Sequence, residues 1–486
     1  MTPNLAELAI ALAREGLLAG PTPAELPVKG VSADSRTIRE GMVYVAVRGT
    51  QADGHRFVEE AVRRGARAVV VEQPVAAAVP QVLVRDGRKA AVALGRAWYG
   101  DPGRALTLIC ITGTNGKTTT TALVRHLFNQ EGRAGSIGTL GAFDGAGASV
   151  ESTAGSLTTP GPIELQATLA ALVKRGVTHV ALEASSHSLD QGRLDGLQFA
   201  AGVFTNVTRD HLDYHRTMEA YLAAKLKLDG YLGPGALQVV NADDPAWEAL
   251  PPRHPRITFG LSGAAEVRAE EPILNHTGSS FRLASAQGAG LVRLPLLGEF
   301  NVANALAAAA VGLGLGLPLS RVIEALECAP QVPGRMERLA DAPAVVLRDY
   351  AHTPDALERA LLALRPLTPG RLIVVFGCGG DRDRGKRPVM GRIAATLADL
   401  AIVTSDNPRT EDPDRIIVEV EQGMGSAPHR RFVDRRAAIA AALEEARKGD
   451  TVLLAGKGHE TYQVVGTAKL PFDERAIVRE MLGLGD

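Results

Sequence analysis

Short apolar stretches alternate with longer amphipathic stretches along most of the chain. In the first hundred residues the apolar stretches are 43–47, 68–71 and 81–84, and an amphipathic segment then stops at the cluster YGDPG, residues 99–103. Short apolar runs bounded by turn residues predict buried strands, and a Gly/Pro cluster predicts the end of a helix followed by a linker. The pattern therefore predicts a first domain, of mixed α/β type, over residues 1–103.

The same alternation resumes after this linker and again after Pro333-Gly334. Strands are predicted at 106–111, 178–183, 200–206 and 236–240, and then at 345–347, 371–376, 400–404 and 451–455. Strands that alternate with helices predict parallel sheets covered by helices. We therefore predict a three-domain α/β protein, with a central, doubly wound domain over 104–333 and a Rossmann-like C-terminal domain over 334–486.

Composition narrows the choice of partners and compartment. The chain has 54 acidic and 53 basic residues, so its formal net charge of −1 gives no reason to expect nucleic acid or an anionic membrane as a partner. Its three cysteines, Cys110, Cys328 and Cys378, lack metal-ligand spacing and favour a reducing compartment. No signal-peptide pattern and no apolar run of ~20 residues is present. We expect a cytoplasmic protein without membrane insertion.

The strand predicted at 106–111 runs into the turn GTNGKTT, residues 113–119, and a helical pattern follows. This is the context of a phosphate-binding loop, because glycines let the backbone approach phosphates and a helix N-terminus offers free N–H groups. Lys117 is expected to reach the outer phosphates and Thr118 to place its hydroxyl on Mg²⁺. Ile111 stands where the standard pattern has its first glycine. The alternative is an ordinary glycine-containing turn between a strand and a helix.

Polar clusters follow two more strands of the central block. EASSH begins at Glu183, and NVTRDHLDYH spans residues 206–215. Because the carboxyl ends of parallel strands meet at one edge of a sheet, Glu183 and His211 are predicted to lie by the phosphate loop as ligands of a hard cation or of a water. For His187 and His215 a structural role is equally compatible with the pattern. The alternative for the clusters is helix capping by Ser185 and Asp210.

Strand-end loops of the third block are rich in Gly, Arg, Asp and His. They are 349–352, 377–388, 405–409 and 456–460. Their repetition at one predicted sheet edge indicates a binding wall for a charged, polar ligand. A solvated charged surface is the alternative for the segment 381–387.

Motifs from all three blocks, in order along the chain, resemble those of the Mur ligases. They are GTNGKTT at 113–119, EASSH at 183–187, DHLDYH at 210–215, AAK at 223–225, NVAN at 301–304, PGRME at 333–337, DYAH at 349–352 and DNPR at 406–409. Within the family they are most similar to the branch that adds the third residue of the peptidoglycan stem peptide. The resemblance implies that ATP converts the glutamate side-chain carboxylate of UDP-N-acetylmuramoyl-L-alanyl-D-glutamate into an acyl phosphate. The amine of an incoming amino acid then displaces phosphate.

The resemblance also implies roles for individual residues. The catalytic residues are Lys117, Glu183, His211 and Lys225. The ATP-binding residues are Gly113, Thr114, Asn115, Gly116, Lys117, Thr118, Thr119, Asn304, Arg335, Asp349 and His352. The residues for the UDP-substrate are Ser35, Thr50, Gln51, Ala52, Thr158, Thr159, Ser185, Gln191 and Arg193. The residues for the amino acid are Arg382, Asp406, Asn407, Pro408, Arg409, Gly456 and Glu460.

Lys225 illustrates how pattern and resemblance differ. By pattern alone it is a solvated helix lysine, whereas the resemblance implies that it is carbamylated. A carbamate supplies an anionic oxygen beside Mg²⁺, where an ammonium would be repelled. The implied metal ligands are Thr118, Glu183, His211 and Lys225 as its carbamate, and the implied cofactors are ATP and Mg²⁺.

The identity of the added amino acid is the most open point. Arg409 suits the distal carboxylate of meso-2,6-diaminopimelate, whereas lysine and ornithine end in a cation that an arginine repels. We predict diaminopimelate, and the sequence leaves ornithine and lysine open. A folylpolyglutamate synthase-like ligase and a non-enzymatic nucleotide-dependent scaffold are the other functions compatible with a phosphate loop. We expect a monomer whose substrates are the UDP-MurNAc-dipeptide and a diamino acid.

Overall fold

A computed structural model describes residues 3–49, 52–130, 132–150 and 157–484. The chain forms two compact units. The first comprises Met1–Ala269, Leu283–Gly290 and Ala303–Ala325, and the second comprises Glu270–Arg282, Leu291–Val302 and Leu326–Asp486. Among the described residues, no helix is both long and apolar enough to cross a membrane.

The N-terminal part of the first unit is a small parallel sheet with helices packed on it. Its elements are α1 (Leu5–Arg14), β1 (Gly30–Ser32), β2 (Met42–Val45), α2 (Val58–Arg63), β3 (Ala68–Val71), β4 (Gln81–Leu83) and α3 (Gly87–Tyr99). The strands stand in the order β1-β2-β3-β4 and every neighbouring pair is parallel. The residues of β3 are aliphatic and buried, and α3 ends at Gly100, in a left-handed conformation, where the YGDPG cluster predicts an end.

The larger sheet of the first unit carries the phosphate loop. Its elements are β5 (Thr107–Thr112), α4 (Lys117–Phe128), β6 (Ala134–Gly138), β7 (Gly141–Phe143), α5 (Pro162–Lys174), β8 (His179–Glu183), α6 (Ser186–Asp190), β9 (Phe199–Phe204), α7 (Leu212–His215), α8 (Met218–Leu226), β10 (Leu232–Asn241) and β11 (Arg256–Gly260). In this sheet β5 lies between β9 and β8, parallel to both. After β5 the chain first forms β6 and β8 on one side of it and then β9 on the other side. The loops at the carboxyl end of β5 therefore diverge and leave a crevice there.

Further elements follow β11 in the chain. They are β12 (Val267–Asn275), β13 (Gly278–Ser285), β14 (Gly288–Leu294), α9 (Glu299–Gly314) and α10 (Leu319–Glu327). The strands belong to the same sheet, whose full order is β14-β13-β12-β11-β10-β9-β5-β8-β6-β7. The alanine-rich helix α9 carries Asn304, which is 7% exposed.

The second unit contains a six-stranded sheet and a hairpin. Its elements are β15 (Glu337–Ala340), β16 (Val345–Asp349), α11 (Pro354–Leu364), β17 (Leu372–Phe376), α12 (Lys386–Leu397), β18 (Leu400–Thr404), α13 (Pro413–Glu421), β19 (His429–Phe432), α14 (Arg435–Glu445), β20 (Thr451–Ala455), β21 (Tyr462–Val465), β22 (Ala468–Pro471) and α15 (Glu474–Met481). The sheet order is β15-β16-β20-β17-β18-β19, with only the β15–β16 pair antiparallel. The loops after β16, β20, β17 and β18 consequently open at one edge, as predicted.

A buried ion pair lies beneath this edge. The Arg435 guanidinium donates to the Glu474 carboxylate at 2.8 Å, and both side chains are fully buried. Arg435 also donates to the Ala455 carbonyl oxygen at 2.9 Å. Residue 455 ends β20, so this pair holds the strand end from which the loop 456–460 departs.

Glu474→Ala is expected to lower the free energy of unfolding by about 3–5 kcal/mol, because a buried guanidinium loses its counter-charge. Urea denaturation followed by circular dichroism measures the change. Glu480→Ala is the matched control, since Glu480 also pairs with an arginine of α14, Arg436, but both side chains are largely exposed. An exposed pair contributes about 0–1 kcal/mol. Equal losses in the two variants would contradict the importance of the buried pair.

Candidate active site

The phosphate loop is a tight turn that only glycine permits at two positions. Gly113 has φ +146° and a Cβ there would collide with the Thr205 hydroxyl, while Gly116 has φ +84° directly before α4. The Lys117 ammonium folds back on the loop and donates to the carbonyl oxygens of Gly113 at 2.8 Å and Thr114 at 2.7 Å. The ammonium therefore marks the concave side of the loop.

The loop is held in shape by the chain that leaves β9. The amide N–H groups of Thr114 and Asn115 donate to the backbone and side-chain oxygens of Asn206, at 2.7 and 2.9 Å. The Thr205 hydroxyl donates to the Asn115 carbonyl oxygen at 2.7 Å. These contacts fix the loop before any ligand is bound, which is the preorganisation that electrostatic catalysis requires.

Glu183 ends β8 and is the centre of a cluster of oxygen atoms beside the loop. Its carboxylate, 1% exposed, accepts hydrogen bonds from the Thr118 hydroxyl at 3.1 Å, the Thr139 amide at 2.9 Å and the Thr139 hydroxyl at 3.0 Å. The Thr139 hydroxyl also contacts the Thr158 hydroxyl at 3.2 Å. A carboxylate with hydroxyl neighbours is a donor set that suits Mg²⁺, which binds one or two carboxylates together with substrate phosphates.

Lys225 is buried, so the interpretation of this residue as a solvated helix lysine is wrong. It lies one residue before the end of α8 with 1% of its surface exposed, and its ammonium donates to the Gly113 carbonyl oxygen at 2.6 Å. The ammonium also lies 4.4 Å from the centre of the Tyr221 ring. Burial, together with the nearby charge of Lys117, lowers the pKa of Lys225 well below its ordinary value. Two lysines thus converge on a single carbonyl oxygen.

The three predicted histidines form one aromatic cluster by α6 and α7. The ring of His187 lies 4.8 Å from that of His211 and 5.5 Å from that of His215, between ring centres. His211 has φ +52° and a side chain that is 45% exposed, whereas His215 is buried and its Nε2 is 3.0 Å from the Ser186 hydroxyl. Burial is the largest cause of the lowered pKa of each ring, so neutral imidazoles are favoured.

Most residues predicted for the muramoyl peptide lie together around the end of β8. The Thr159 hydroxyl donates to the Glu183 carbonyl oxygen at 2.7 Å and accepts from the Ser185 amide at 3.2 Å. The Arg193 guanidinium donates to the Thr159 carbonyl oxygen at 2.9 Å and to the Gln191 side-chain oxygen at 2.8 Å. Ser185 also caps α6, as the structural alternative predicts, whereas Asp210 caps no helix, since His211 is the N-cap of α7.

Two of the residues predicted for the uridine part, Ser35 and Ala52, lie in the segments that follow β1 and β2. Ser35 is buried and its hydroxyl donates to Glu60 at 3.2 Å, while Ala52 closes a turn by accepting from the Gly49 amide at 2.9 Å. Thr50 and Gln51 lie outside the described residues. On the nucleotide side, the Asn304 side-chain oxygen accepts from the Thr120 hydroxyl at 3.4 Å, and a Cβ on Gly116 would collide with it.

In the second unit, the predicted amino-acid residues after β18 and β20 meet directly. The Asn407 side-chain amide donates to the Glu460 carboxylate at 2.8 Å. Gly456 has φ +115°, and a Cβ there would lie 2.6 Å from the Asp406 carboxylate. These loops therefore pack closely enough to form one surface.

Arg409 connects the loop after β18 to the loop after β17. Its guanidinium donates to the Gly380 carbonyl oxygen at 2.7 Å, and its backbone has φ +51°. A Cβ on Gly380 would collide with the Pro408 carbonyl oxygen. Arg382 is exposed and its guanidinium donates to the carbonyl oxygen of its neighbour Asp381 at 3.1 Å.

The residues predicted to contact ATP from the third domain form their own group. The Arg335 guanidinium lies 4.8 Å from the centre of the Tyr350 ring, and the Asp349 carboxylate accepts from the Met336 amide at 2.7 Å. His352 Nδ1 is 2.8 Å from the Tyr350 carbonyl oxygen. Burial raises the pKa of Asp349, and Arg335 opposes that shift.

Several residues of these sites have no counterpart in the sequence prediction. Thr139, which binds Glu183, follows β6, whose residues AGSIG have too little aliphatic character to predict a strand. Tyr221 shares a hydroxyl contact of 3.1 Å with Thr114, and its only signal is helical spacing from Lys225. The buttress hairpin, β21–β22, contacts the loop after β18: the Gln463 amide group donates to the Asp406 carbonyl oxygen at 2.6 Å.

Among the described residues, no group of three or more His, Cys, Asp or Glu side chains stands in an arrangement that could hold a metal ion. The carboxylate of Glu183 is accordingly the one protein anion in the oxygen cluster defined above. A metal here would need ligands in addition to these side chains, such as the phosphates of a nucleotide.

Three protein-family models together match most of the chain. Residues 27–99 match the description "Mur ligase family, catalytic domain", residues 111–312 match "Mur ligase middle domain", and residues 334–458 match "Mur ligase, glutamate ligase domain". The matches follow one another in the order of the predicted blocks.

Curated relatives and solved structures match over nearly full length. A protein of Geobacillus kaustophilus is 43% identical over 93% of this chain and 94% of its own, and one of Gloeobacter violaceus is 44% identical over 97% of each. Both are named UDP-N-acetylmuramoyl-L-alanyl-D-glutamate–2,6-diaminopimelate ligase. A solved structure of that name has a TM-score of 0.67 at 34% identity, covering 99% of both chains. A folylpolyglutamate synthase of Mycobacterium tuberculosis, at 18% identity and a TM-score of 0.64 over 81% of this chain and 95% of its own, shares the fold alone.

Proposed function

The chain belongs to the Mur ligase family, and from this premise we propose that it joins meso-2,6-diaminopimelate to UDP-N-acetylmuramoyl-L-alanyl-D-glutamate, converting ATP to ADP and phosphate. The observation that carries the proposal is the contact of 3.1 Å between Thr118, at the start of the phosphate-loop helix, and the buried Glu183 carboxylate. This contact places the phosphate-binding loop directly beside a carboxylate that can bind a cation. The reaction belongs to peptidoglycan synthesis, in the cytoplasm.

The residues of the phosphate loop account for the transfer of the phosphoryl group. The Lys117 ammonium turns from the carbonyl oxygens of the loop to the outer phosphates and neutralises the charge that develops there. Thr118, Glu183 and Lys225 as its carbamate would hold Mg²⁺, with His211 as a further predicted ligand. When bound, Mg²⁺ neutralises the phosphates and polarises the transferred group. No side-chain nucleophile is required, because the substrate carboxylate attacks the γ-phosphate.

The carbamate of Lys225 is supported by the surroundings of this side chain. Its amine is buried, faces the ammonium of Lys117 and shares the Gly113 carbonyl oxygen with it. Burial and the charge of Lys117 lower the pKa of this amine, which favours its neutral form, and a neutral amine adds to CO₂ with release of a proton. The product carries a negative charge, so the Lys117 ammonium attracts it, whereas it would repel an ammonium at position 225.

The end of β8 is proposed to bind the anionic part of the UDP-substrate. Arg193 is fixed by Thr159 and Gln191, so its remaining N–H groups are preorganised for a phosphate or carboxylate. The hydroxyls of Thr158 and Ser185 are proposed as further contacts of this anionic part. The assignment of Ser35, Thr50, Gln51 and Ala52 to the uridine stays a prediction, as do the domain boundaries at 103 and 333 and the monomeric state.

The second unit is proposed to bind the diamino acid through Arg382, Asp406, Asn407, Pro408, Arg409, Gly456 and Glu460. Nη1 of Arg409 donates to the carbonyl oxygens of Gly380 at 2.7 Å and Asn407 at 3.5 Å, which leaves Nε and Nη2 for a bidentate pair with a carboxylate. Diaminopimelate has a distal carboxylate, whereas lysine and ornithine have none. A folylpolyglutamate synthase-like function, the alternative suggested by the shared fold, does not explain why an arginine is held in this loop.

Product formation with different diamino acids tests the proposed function. The enzyme is mixed with ATP, Mg²⁺ and UDP-MurNAc-Ala-Glu, and with meso-diaminopimelate, L-lysine or L-ornithine in turn, and the products are weighed by mass spectrometry. Ligation with diaminopimelate, dependent on ATP, is expected. A preference for lysine or ornithine would overturn the assignment of diaminopimelate as the substrate. Phosphate release without ligation would overturn the assignment of ligase activity.

Arg409→Ala is expected to raise KM for diaminopimelate by about 30-fold or more, because one side of a desolvated charged pair is lost. The KM values for ATP and for the UDP-substrate are expected to stay nearly unchanged. Arg415→Ala, at an exposed position of α13, is the control and should leave all three values unchanged. An equal rise in the KM for ATP would contradict a selective role of Arg409.

A further inference from the structure

Lys457 is a fully buried lysine in the middle of the amino-acid site. Its side chain is 0% exposed, and it follows Gly456 in the loop after β20. Its ammonium donates to the Asn407 side-chain oxygen at 3.1 Å and to the Glu460 carboxylate at 3.4 Å, and it lies 3.9 Å from the Asp406 carboxylate. A charged side chain is almost never fully buried unless it is paired, so this placement calls for a reason.

The backbone on both sides of Lys457 is fixed by close packing. Gly456 has φ +115° and Gly458 has φ +52°. A Cβ on Gly456 would lie 2.6 Å from the Asp406 carboxylate, and one on Gly458 would lie 2.7 Å from the Tyr350 Cβ. A side chain at either position would collide with a neighbour, so the chain on both sides of Lys457 packs closely and requires glycine.

The ammonium completes a set of contacts among three loop side chains. Asn407 donates from its amide to the Glu460 carboxylate at 2.8 Å and accepts at its oxygen from the Val464 amide at 2.9 Å. The same oxygen accepts from Lys457, which also contacts the same Glu460 oxygen. Asn407 and Glu460 are thereby oriented by a common cation from below the surface they form.

We infer that Lys457 is the positioning residue of the amino-acid site and that its charge sets the preference for an amino acid with a distal carboxylate. The inference rests on the proposed assignment of Asp406, Asn407 and Glu460 to that site. The ammonium compensates the two carboxylates, so a substrate carboxylate meets less repulsion. Without it the site gains one unit of negative charge, which disfavours diaminopimelate relative to lysine, because only diaminopimelate has the additional distal carboxylate.

Lys457→Met preserves the apolar stem and removes the charge. We expect KM for diaminopimelate to rise by about tenfold or more, since hydrogen bonds from a charged group are lost, with KM for ATP unchanged. The ratio of kcat/KM for diaminopimelate to that for L-lysine is expected to fall by about threefold or more. A merely structural lysine would lower kcat for both amino acids equally and leave this ratio constant.

Two further variants make the test decisive. Lys448→Met changes an exposed lysine of the same unit and should leave KM and the ratio unchanged. Lys457→Gln keeps a donor for Asn407 but no charge, and it should lower the ratio as the methionine variant does. An unchanged ratio in folded variants, or loss of folding in both, overturns the inference. Failure of the wild-type enzyme to ligate diaminopimelate would instead overturn the proposed function.

Discussion

Lys117→Ala is expected to lower kcat by about 100-fold or more, because the ammonium faces the phosphoryl group on which charge develops. In the structure this ammonium donates to the carbonyl oxygens of Gly113 and Thr114, on the concave side of the phosphate loop. From there it has only to turn towards the outer phosphates of a triphosphate seated on that loop. Phosphate release, measured at saturating concentrations of all three substrates, reports kcat directly.

A matched control separates this effect from a general disturbance of the first unit. Lys174→Ala alters an exposed lysine at the end of α5 and should leave kcat unchanged. The thermal midpoint of the Lys117 variant should stay close to that of the wild type, because the loop is held independently by Thr205 and Asn206. Retention of more than about a tenth of kcat would remove the phosphate-loop assignment, given the usual size of such charge effects.

Lys225→Ala is expected to lower kcat by about 100-fold or more while leaving the fold intact. The variant loses both the amine and its proposed carbamate, which is the anion that would stand beside the Glu183 cluster. Added bicarbonate should not restore activity, because no amine remains to react. A short-chain carboxylate such as acetate should restore part of it by occupying the vacated space as a free anion.

The wild-type enzyme supplies the complementary measurement. Removal of CO₂ should lower its activity, bicarbonate should restore it, and a ¹³C-carbamate signal should appear with labelled bicarbonate and disappear in the variant. Lys227→Ala is the control, since this lysine is two residues further along and pairs with Asp190 at 2.6 Å on a partly exposed surface. An active wild-type enzyme without dependence on CO₂ and without the signal would contradict the carbamate.

Hydrophobic pattern was sufficient to predict the strands that are buried and aliphatic. β5, β8, β17 and β20 each contain an apolar run, and the predicted bounds agree with the observed ones within a residue or two. Strands without that signal were missed. β22 is exposed throughout, and β6 consists largely of small residues, so neither shows the pattern of a buried strand.

The candidate site shows the same division between local and long-range information. Gly113 to Thr118 are adjacent in sequence, so their strand–turn–helix context predicts a phosphate loop without knowledge of the fold. The burial of Lys225 depends on contacts with Gly113, which lies 112 residues away in sequence. No local pattern contains that contact, and only the resemblance to a family pointed to it.

The buttress hairpin has a consequence for how substrate choice can evolve. The Arg409 amide donates to the Val464 carbonyl oxygen at 3.0 Å, and the Gly466 amide donates to the Arg409 carbonyl oxygen at 2.7 Å. Both contacts use main-chain atoms, so they do not depend on the side chain at position 409, except that proline has no N–H to donate. The positive φ of this position disfavours β-branched replacements and admits asparagine or glycine. A lineage can thus discard the guanidinium in one mutational step while keeping the main-chain contacts between this loop and the hairpin.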